Sequence, residues 1–514
     1  MFSNRKISNR EYINAKEVIN MRVFYDSGRM RELNSLDELY GRDGFVAAVI
    51  YGRRRVGKTS LIGEFVRRGN KKAVRFTATE NTEFANREDF SKSVFAVYPA
   101  MSALGCFPSW ESAFVYIAAQ SNGERVVVEI DEYPYLAKSY LAVSSEFQKC
   151  IDNVMQNTSI MLVLCGSSMS FMENQVLGYQ SPLYGRRTAQ YRVAPLDYYD
   201  SAEFFGRASC QDKLLGYSVT GGIPQYLSTV ARGMGAAAGT GAGTVAGAAA
   251  GNMAGVEAGV EAGIERAFFY KDGFLYEEPQ NLLKQELREP ALYNAIITAV
   301  AGGATKLGEI AGKTREPESK TLKYIKNLID LGILDKEFPM LAQGEKRGVY
   351  YIKDNMYRFW HRFVPGMVTL IENGYESIYE KKVKPFIPEY MGHAFESICR
   401  QYLLRLNIQD RLPFLFEKIG RWWGVNAVTK REEEIGVVAA SKDGLIVGEC
   451  KWQNEEAGHK VYMELRNKTS IPPFAGKDIY YYIFSKSGFS AALAEDAKND
   501  ARLALVSLDD LFAL

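Results

Sequence analysis

The chain has 514 residues, which at ~150 residues per domain predicts about three domains. Lys plus Arg number 63 against 61 for Asp plus Glu, a net charge of +2 that excludes coating of nucleic acid through bulk charge while leaving room for a local basic patch. Hydrophobic residues at 47% and charged residues at 24% exclude global disorder, since such a chain can bury sizeable cores.

The six cysteines (Cys106, Cys150, Cys165, Cys210, Cys399, Cys450) form no CxxC pair, and His361, His393 and His459 form no HExxH. Both patterns argue against a disulfide framework, a zinc ribbon and histidine-based zinc catalysis. The polar stretch from Asn4 to Glu17 carries no apolar signal region, and no window reaches the ~20 apolar residues of a bilayer span. The expectation is a cytoplasmic protein without a membrane partner.

In chain order, the first third alternates apolar runs with helical stretches, the pattern of a parallel α/β sheet. Strands are predicted over Phe45–Tyr51, Ala73–Phe76, Arg125–Asp131, Ile160–Cys165 and Tyr191–Ala194, with a helix over Glu146–Met155 among the connections. From Tyr198 to Thr220 the pattern turns helical and suggests a small lid. Between Gly233 and Gly263 the chain is nearly all Gly and Ala, with Gly recurring every fourth residue from Gly243. Glu257 and Glu261 speak against a bilayer reading of this GxxxG repeat, which is taken as a flexible or weakly helical insert. Helices follow over Pro290–Val300, Thr305–Ala311 and Glu318–Leu331. On the third, Leu322, Ile325 and Ile329 are expected to be buried, with Lys320, Lys323, Tyr324 and Asn327 around the rest. A hairpin over Gly344–Lys353 carrying Lys346 and Arg347 completes the outline of a winged helix. The last part reads as a helix over Phe395–Leu403, strands over Ile435–Ala439 and Leu445–Glu449, a helix over Val461–Asn467, and strands over Asp478–Ser485 and Leu503–Val506.

The strongest motif is GRRRVGKT at 52–59, a GxxxxGK[ST] loop between a strand and a helix. Gly52 and Gly57 let backbone N–H groups wrap phosphates, Lys58 reaches the β- and γ-phosphates, and Thr59 offers a hydroxyl to Mg2+. Gly52, Arg53, Arg54, Arg55, Val56, Gly57, Lys58, Thr59 and Ser60 are the expected nucleotide-binding residues. The strand Arg125–Asp131 ends in an acidic pair: Asp131 for the Mg2+ shell, Glu132 to orient or deprotonate the attacking water. Glu129 interrupts that apolar run for no reason visible in the sequence. Arg186 and Arg187, in SPLYGRRT, are candidates to neutralise phosphate charge in cis or in trans. Gly221, Gly222, Ile223 and Pro224 read as a helix stop followed by a helix start.

The runs FYDSGRMREL (24–33), IYGRRRVGKTSL (50–61), EIDEYPYLA (129–137), LCGSS (164–168), PLYGRRT (182–188) and GGIPQYL (221–227) together resemble the prokaryotic, archaeal-type AAA ATPases. These are P-loop ATPases related to the signal-transduction ATPases with numerous domains. YRFWHRFV (357–364), YMGHAFE (390–396) and GECKW (448–452) resemble the subgroup whose C-terminal domain of unknown function is similar to restriction-endonuclease-like folds. The resemblance implies ATP over GTP, a polar γ-phosphate sensor at Ser167 or Ser168, and an approach of Pro224 to the adenine. It lays the chain out as an extension (1–21), a P-loop ATPase core (22–197) and a helical lid (198–288) holding the insert 233–263. A winged helix (289–355), a connector (356–387) and a restriction-endonuclease-like α/β domain (388–514) follow.

Nucleases of the PD-(D/E)xK type gather a helix Glu, a strand Asp and a (D/E)xK triplet around Mg2+. Here Glu396 is on the helix and Glu449 and Lys451 form the triplet, but Gly436 stands where the resemblance places the Asp. Glu434 lies on the same strand face, displaced by ~6–7 Å. The expected site is a weakened or dead nuclease. The reading is therefore Mg2+-dependent ATP hydrolysis, associated with double-stranded DNA through the winged-helix and nuclease-like domains, with homo-oligomerisation left open. The alternative is a nucleotide-switched protein scaffold; an ATP-gated nuclease is a third reading, against which Gly436 counts.

Overall fold

Apolar runs that end in glycine or acidic residues become five parallel strands in the computed structural model, which describes residues 28–236, 259–342, 347–426, 430–470 and 472–514. The strands are β1 (Val46–Tyr51), β2 (Ala73–Thr77), β3 (Val126–Asp131), β4 (Ile160–Gly166) and β5 (Ala189–Arg192), in the order β2-β3-β4-β1-β5. β1, β3 and β4 are buried along their whole length, as strands covered by helices on both faces must be. β5 lies earlier than the predicted Tyr191–Ala194. Its alternating half-buried and exposed residues mark an edge strand, whose signal is weaker than a continuous apolar run. On one face Phe147 sets its ring edge-on to Trp110 and Phe114, each at 5.5 Å, within a core that includes Phe90 and Tyr133.

The structure also accounts for Glu129. β2 and β3 pair with Arg75 opposite Glu129, and the guanidinium donates to both carboxylate oxygens, one of these bonds at 3.4 Å. A charge 1% exposed is tolerated because its partner is built into the neighbouring strand.

The chain forms two compact units: the residues up to Pro195 with Ile223–Gln225, and Leu196–Gly222 with Tyr226–Leu514. In the second, α2 (Pro290–Ala301), α3 (Leu307–Thr314) and α4 (Glu318–Asp330) precede a hairpin of β6 (Leu334–Glu337) and β7 (Val349–Ile352); α1 (Lys58–Arg68) belongs to the first unit. The buried face of α4 is Thr321, Tyr324, Ile325 and Leu328, not the expected set with Leu322 and Ile329. Tyr324 turns inward because its ring packs on that of Tyr293 at 4.5 Å. The predicted hairpin Gly344–Lys353 supplies only its second strand; the first is the short, charged Leu334–Glu337. Lys346 lies outside the described residues, and Arg347 is exposed.

The C-terminal part opens with α5 (Ile387–Ile408), 22 residues long against the nine predicted over Phe395–Leu403. Five strands follow, β8 (Lys418–Val425), β9 (Glu432–Ala440), β10 (Leu445–Lys451), β11 (Ile479–Ser485) and β12 (Leu503–Val506), with α6 (His459–Thr469) between β10 and β11. Their order is β12-β11-β10-β9-β8; β9 runs antiparallel to both β8 and β10, and β10, β11 and β12 are parallel. β8 was not expected: its register shifts between Gly420 and Trp422, which breaks the alternation that would reveal it.

Residues 237–258 of the Gly/Ala insert lie outside the described residues. Its two ends are helical, over Pro224–Ala236 and Val260–Phe268. They cross so closely that a Cβ on Gly263 would sit 2.2 Å from the Val230 carbonyl, and one on Gly233 2.9 Å from the Gly263 Cα. Small residues are required there by backbone approach. Among the described residues, no helix is long and apolar enough to cross a membrane.

Candidate functional site

β1 delivers the chain to Gly52, whose φ of 157° borders the glycine-favouring region and whose missing side chain leaves room for Val193; a Cβ there would meet the Val193 carbonyl oxygen at 2.3 Å. The loop then turns at Arg55 and Gly57 with positive φ, and the Gly57 carbonyl accepts the N–H of Leu61 at 2.8 Å to begin α1. The first turn of a helix thus faces the loop, with its N–H groups and the positive end of the helix dipole. Lys58 is 6% exposed, and its Nζ donates to the carbonyls of Gly52 (2.9 Å) and Arg53 (3.1 Å).

The two predicted halves of the site meet. Thr59 donates its hydroxyl to Asp131 Oδ2 at 2.7 Å, and the other oxygen of Asp131 accepts the backbone N–H of Glu132 at 2.9 Å. Glu132 adopts left-handed φ and ψ (50°, 41°) just before the helix Tyr133–Ser139. Its Oε2 accepts the Ser167 hydroxyl at 2.8 Å and the Ser167 N–H at 3.3 Å. Ser167 therefore touches the carboxylate expected to handle water. Ser168 instead uses its carbonyl to accept Met172 N–H. The oxygen-rich pair Thr59–Asp131 beside the Lys58 ammonium fits Mg2+ with a polyphosphate, because a hard cation takes oxygen ligands.

Arg54 donates to the Tyr135 hydroxyl at 2.5 Å. Arg186 forms a two-pronged pair with Asp152, Nε at 2.8 Å and Nη2 at 2.7 Å, and also donates to the Pro182 carbonyl. Arg187 lies over the Tyr184 ring and donates to the Leu177 carbonyl at 3.4 Å. Burial pushes up the phenol of Tyr51, at the end of β1, and Arg187 is among the cations opposing that rise. Pro224 is buried and groups with the unit that carries the P-loop. Gly221 and Gly222 have φ of 69° and 73°; a Cβ on Gly222 would strike the Leu196 carbonyl at 1.9 Å.

Arg29 escaped the sequence reading. It is 3% exposed and donates to the carbonyls of Ala194 (2.5 Å) and Val56 (3.3 Å), bracing the loop from outside. Its signal is the run FYDSGRMREL, which carries both Arg29 and Arg31 and nothing to set one apart from the other.

In the C-terminal part, Glu396 on α5 faces Gly436 on β9: a Cβ at 436 would lie 2.7 Å from the Glu396 carboxyl carbon. Burial pushes Glu396 up to about 7, with Arg400 opposing and Glu434 and Glu449 adding to the rise. Its Oε2 is buried without a hydrogen-bond partner. Glu449 lies between Lys451 (2.8 Å) and Lys468 (3.4 Å), whereas Glu434 pairs with Arg421 at 2.9 Å. Arg421 also holds Glu337 of the hairpin at 2.7 Å. Lys468 and Arg421 had no motif to reveal them. Among the described residues, no three Asp, Glu, His or Cys side chains gather as a metal site.

Residues 24–230 match the family described as an ATPase domain predominantly from Archaea, and residues 360–461 match the one described as archaeal and bacterial proteins of unknown function. The Methanocaldococcus jannaschii protein MJECL04 is 32% identical over 464 residues, covering 89% of this chain and 95% of the relative. Similar solved structures include the Walker-type ATPase PABY2304 of Pyrococcus abyssi, with 18% identity, 65% of this chain and 96% of that one covered, and a TM-score of 0.47. Another is the Aeropyrum pernix ORC2 protein in its ADPNP–ADP complexes, with 12% identity, 69% and 98% covered, and a TM-score of 0.36. With a P-loop at its expected place and a relative matched along nearly its whole length, this chain belongs to the family of MJECL04 and carries an archaeal-type P-loop ATPase domain over residues 24–230.

Proposed function

We propose that the chain binds ATP with Mg2+, hydrolyses it, and couples turnover to double-stranded DNA. The observation that supports the ATP part of this reading is the chain of contacts from Thr59 through Asp131 to Glu132 and Ser167, the residues read as cation ligands, base and sensor. Thr59 and Asp131 would hold the Mg2+, which when bound supplies charge neutralisation on the phosphate oxygens. Lys58 shifts from the Gly52 and Arg53 carbonyls onto the phosphates, Glu132 orients and deprotonates water, and Ser167 holds the Glu132 carboxylate in place. The fork on Asp152 supports a bracing role for Arg186, which leaves Arg187 as the arginine proposed to act on phosphate charge. Three helices followed by a hairpin support a winged-helix reading of 289–355. The mixed sheet with α5 supports a restriction-endonuclease-like reading of 388–514 whose cleavage site is degenerate.

One observation favours the scaffold reading. Lys320 on α4 is drawn to Glu316 (3.1 Å) and Glu289 (4.0 Å), and Lys353 is paired with Asp335 (2.7 Å), which dilutes the basic face. The deciding experiment is the steady-state MgATP hydrolysis rate titrated with duplex DNA at fixed, moderate salt. A rate that climbs and saturates supports DNA coupling. A rate indifferent to DNA gives the function to a protein-partnered switch.

A further inference from the structure

A cavity of about 480 Å³ opens in the C-terminal domain where the end of α6, the loop before β11 and the start of β12 come together. That volume suits a small ligand. Three cations from three different elements line it, Arg466 from α6, Lys477 from the loop and Arg502 ahead of β12, and all three are exposed. Asp500, also in the lining, has both carboxylate oxygens engaged, one by the Tyr462 hydroxyl at 2.5 Å and the other by the Arg502 N–H at 2.9 Å. These bonds, helped by the Arg466 and Arg502 charges, hold Asp500 below the usual carboxylate range, so it stays an anion that answers part of the cavity's positive charge. Asp478 takes one nitrogen of Arg502 at 2.8 Å. Arg466 packs its guanidinium over the Tyr462 ring, and Lys477 projects from a turn closed by its own N–H on the Phe474 carbonyl. The cations therefore outnumber the acids that answer them, and the lining is mostly polar, with Phe474 and Ile479 buried behind it.

We propose that this cavity binds a phosphate monoester carried on a nucleoside-sized body, with Arg466, Lys477 and Arg502 on the phosphate and the body filling the remaining volume. Guanidinium and ammonium groups converging from separate elements recognise a dianion better than a single charge does. The site is independent of the P-loop. Two sources present this chemistry: a free mononucleotide and the phosphorylated 5′ end of a DNA strand.

The test is calorimetric titration of the full chain carrying Lys58→Ala, so that the P-loop is silenced, with AMP, adenosine, a 5′-phosphorylated oligodeoxynucleotide and its 5′-hydroxyl counterpart as probes. AMP is expected to bind and adenosine not, and Arg466→Ala with Lys477→Ala to weaken AMP binding about tenfold or more at unchanged melting temperature. Equal affinity for AMP and the phosphorylated oligonucleotide supports a free nucleotide as the natural ligand. Tighter binding of the phosphorylated oligonucleotide than of both AMP and its 5′-hydroxyl counterpart supports a strand end. AMP binding that the double variant leaves intact, or no AMP binding in the Lys58→Ala chain, overturns the proposal.

Discussion

Arg75 and Glu129 face each other in register across β2 and β3, so a carboxylate buried in the central sheet is matched by a guanidinium at its rim. Arg75→Leu removes the partner and leaves the acid behind. The expected cost is about 2–3 kcal/mol in urea unfolding at pH 8. Burial already raises the Glu129 carboxyl, and losing Arg75 raises it further. A group raised in the folded state favours folding at low pH and loses that contribution as pH climbs through its folded value, so the deficit of the variant should shrink towards pH 4.5. The double variant Arg75→Leu/Glu129→Leu should recover most of the loss; no recovery would show that the arginine matters for something other than the pair.

Glu396 offers a second pH dependence. Its carboxyl is raised from 4.5 to about 7, so between those values the folded protein holds a proton that the unfolded chain releases. Stability from this group is complete below pH 4.5 and is lost as pH rises through 7. Glu396→Gln should therefore match the parent at pH 4.5 and exceed it by about 1–3 kcal/mol at pH 8, read from chemical denaturation.

At the P-loop, Lys58→Ala should abolish ATP hydrolysis, and Glu132→Gln should lower kcat by about 100-fold or more while ATP stays bound in a filter assay. Parent-rate turnover by either variant would sink the site assignment. Ser167→Ala should lower kcat by about tenfold at nearly constant KM, because it frees the Glu132 carboxylate without touching the loop.

Arg29→Ala removes the brace between the Val56 and Ala194 carbonyls. The expected result is a severalfold rise in KM for ATP and a melting temperature lower by several degrees, since the buried Val56 carbonyl loses a donor and the tie to Ala194 goes with it. Unchanged affinity for ATP would make Arg29 a folding residue alone.

Gly436→Asp places a carboxylate against Glu396, whose flexible side chain must swing aside. Together with Glu449 this would gather three acids. Mg2+ should then raise the melting temperature of the variant and not that of the parent. If Mg2+ shifts neither, the decay of the site goes beyond position 436.

The P-loop and the acidic pair were legible because their chemistry lies in covalent spacing: Gly52 to Thr59 is one loop, and Asp131–Glu132 ends one strand. Glu129 was opaque because its partner is 54 residues away and meets it only through strand register. The face of α4 was misjudged because a tyrosine counts as polar until a second ring, that of Tyr293, is beside it. β8 and β6 were missed for a shared reason. Both are short or irregular strands in which glycine and charge replace alternation, and their places are set by neighbours: Arg421 binds Glu337, and the Met340 N–H reaches the Arg421 carbonyl at 2.8 Å.

That arginine also joins two elements that are far apart in the chain. Glu337 on the hairpin takes one terminal nitrogen of the guanidinium at 2.7 Å and Glu434 on β9 takes the other at 2.9 Å, so one cation answers two acids at once. The hairpin and the C-terminal sheet are thus tied through one shared cation, and the strength of that tie should fall with ionic strength as its exposed half, the Glu434 pair, is screened.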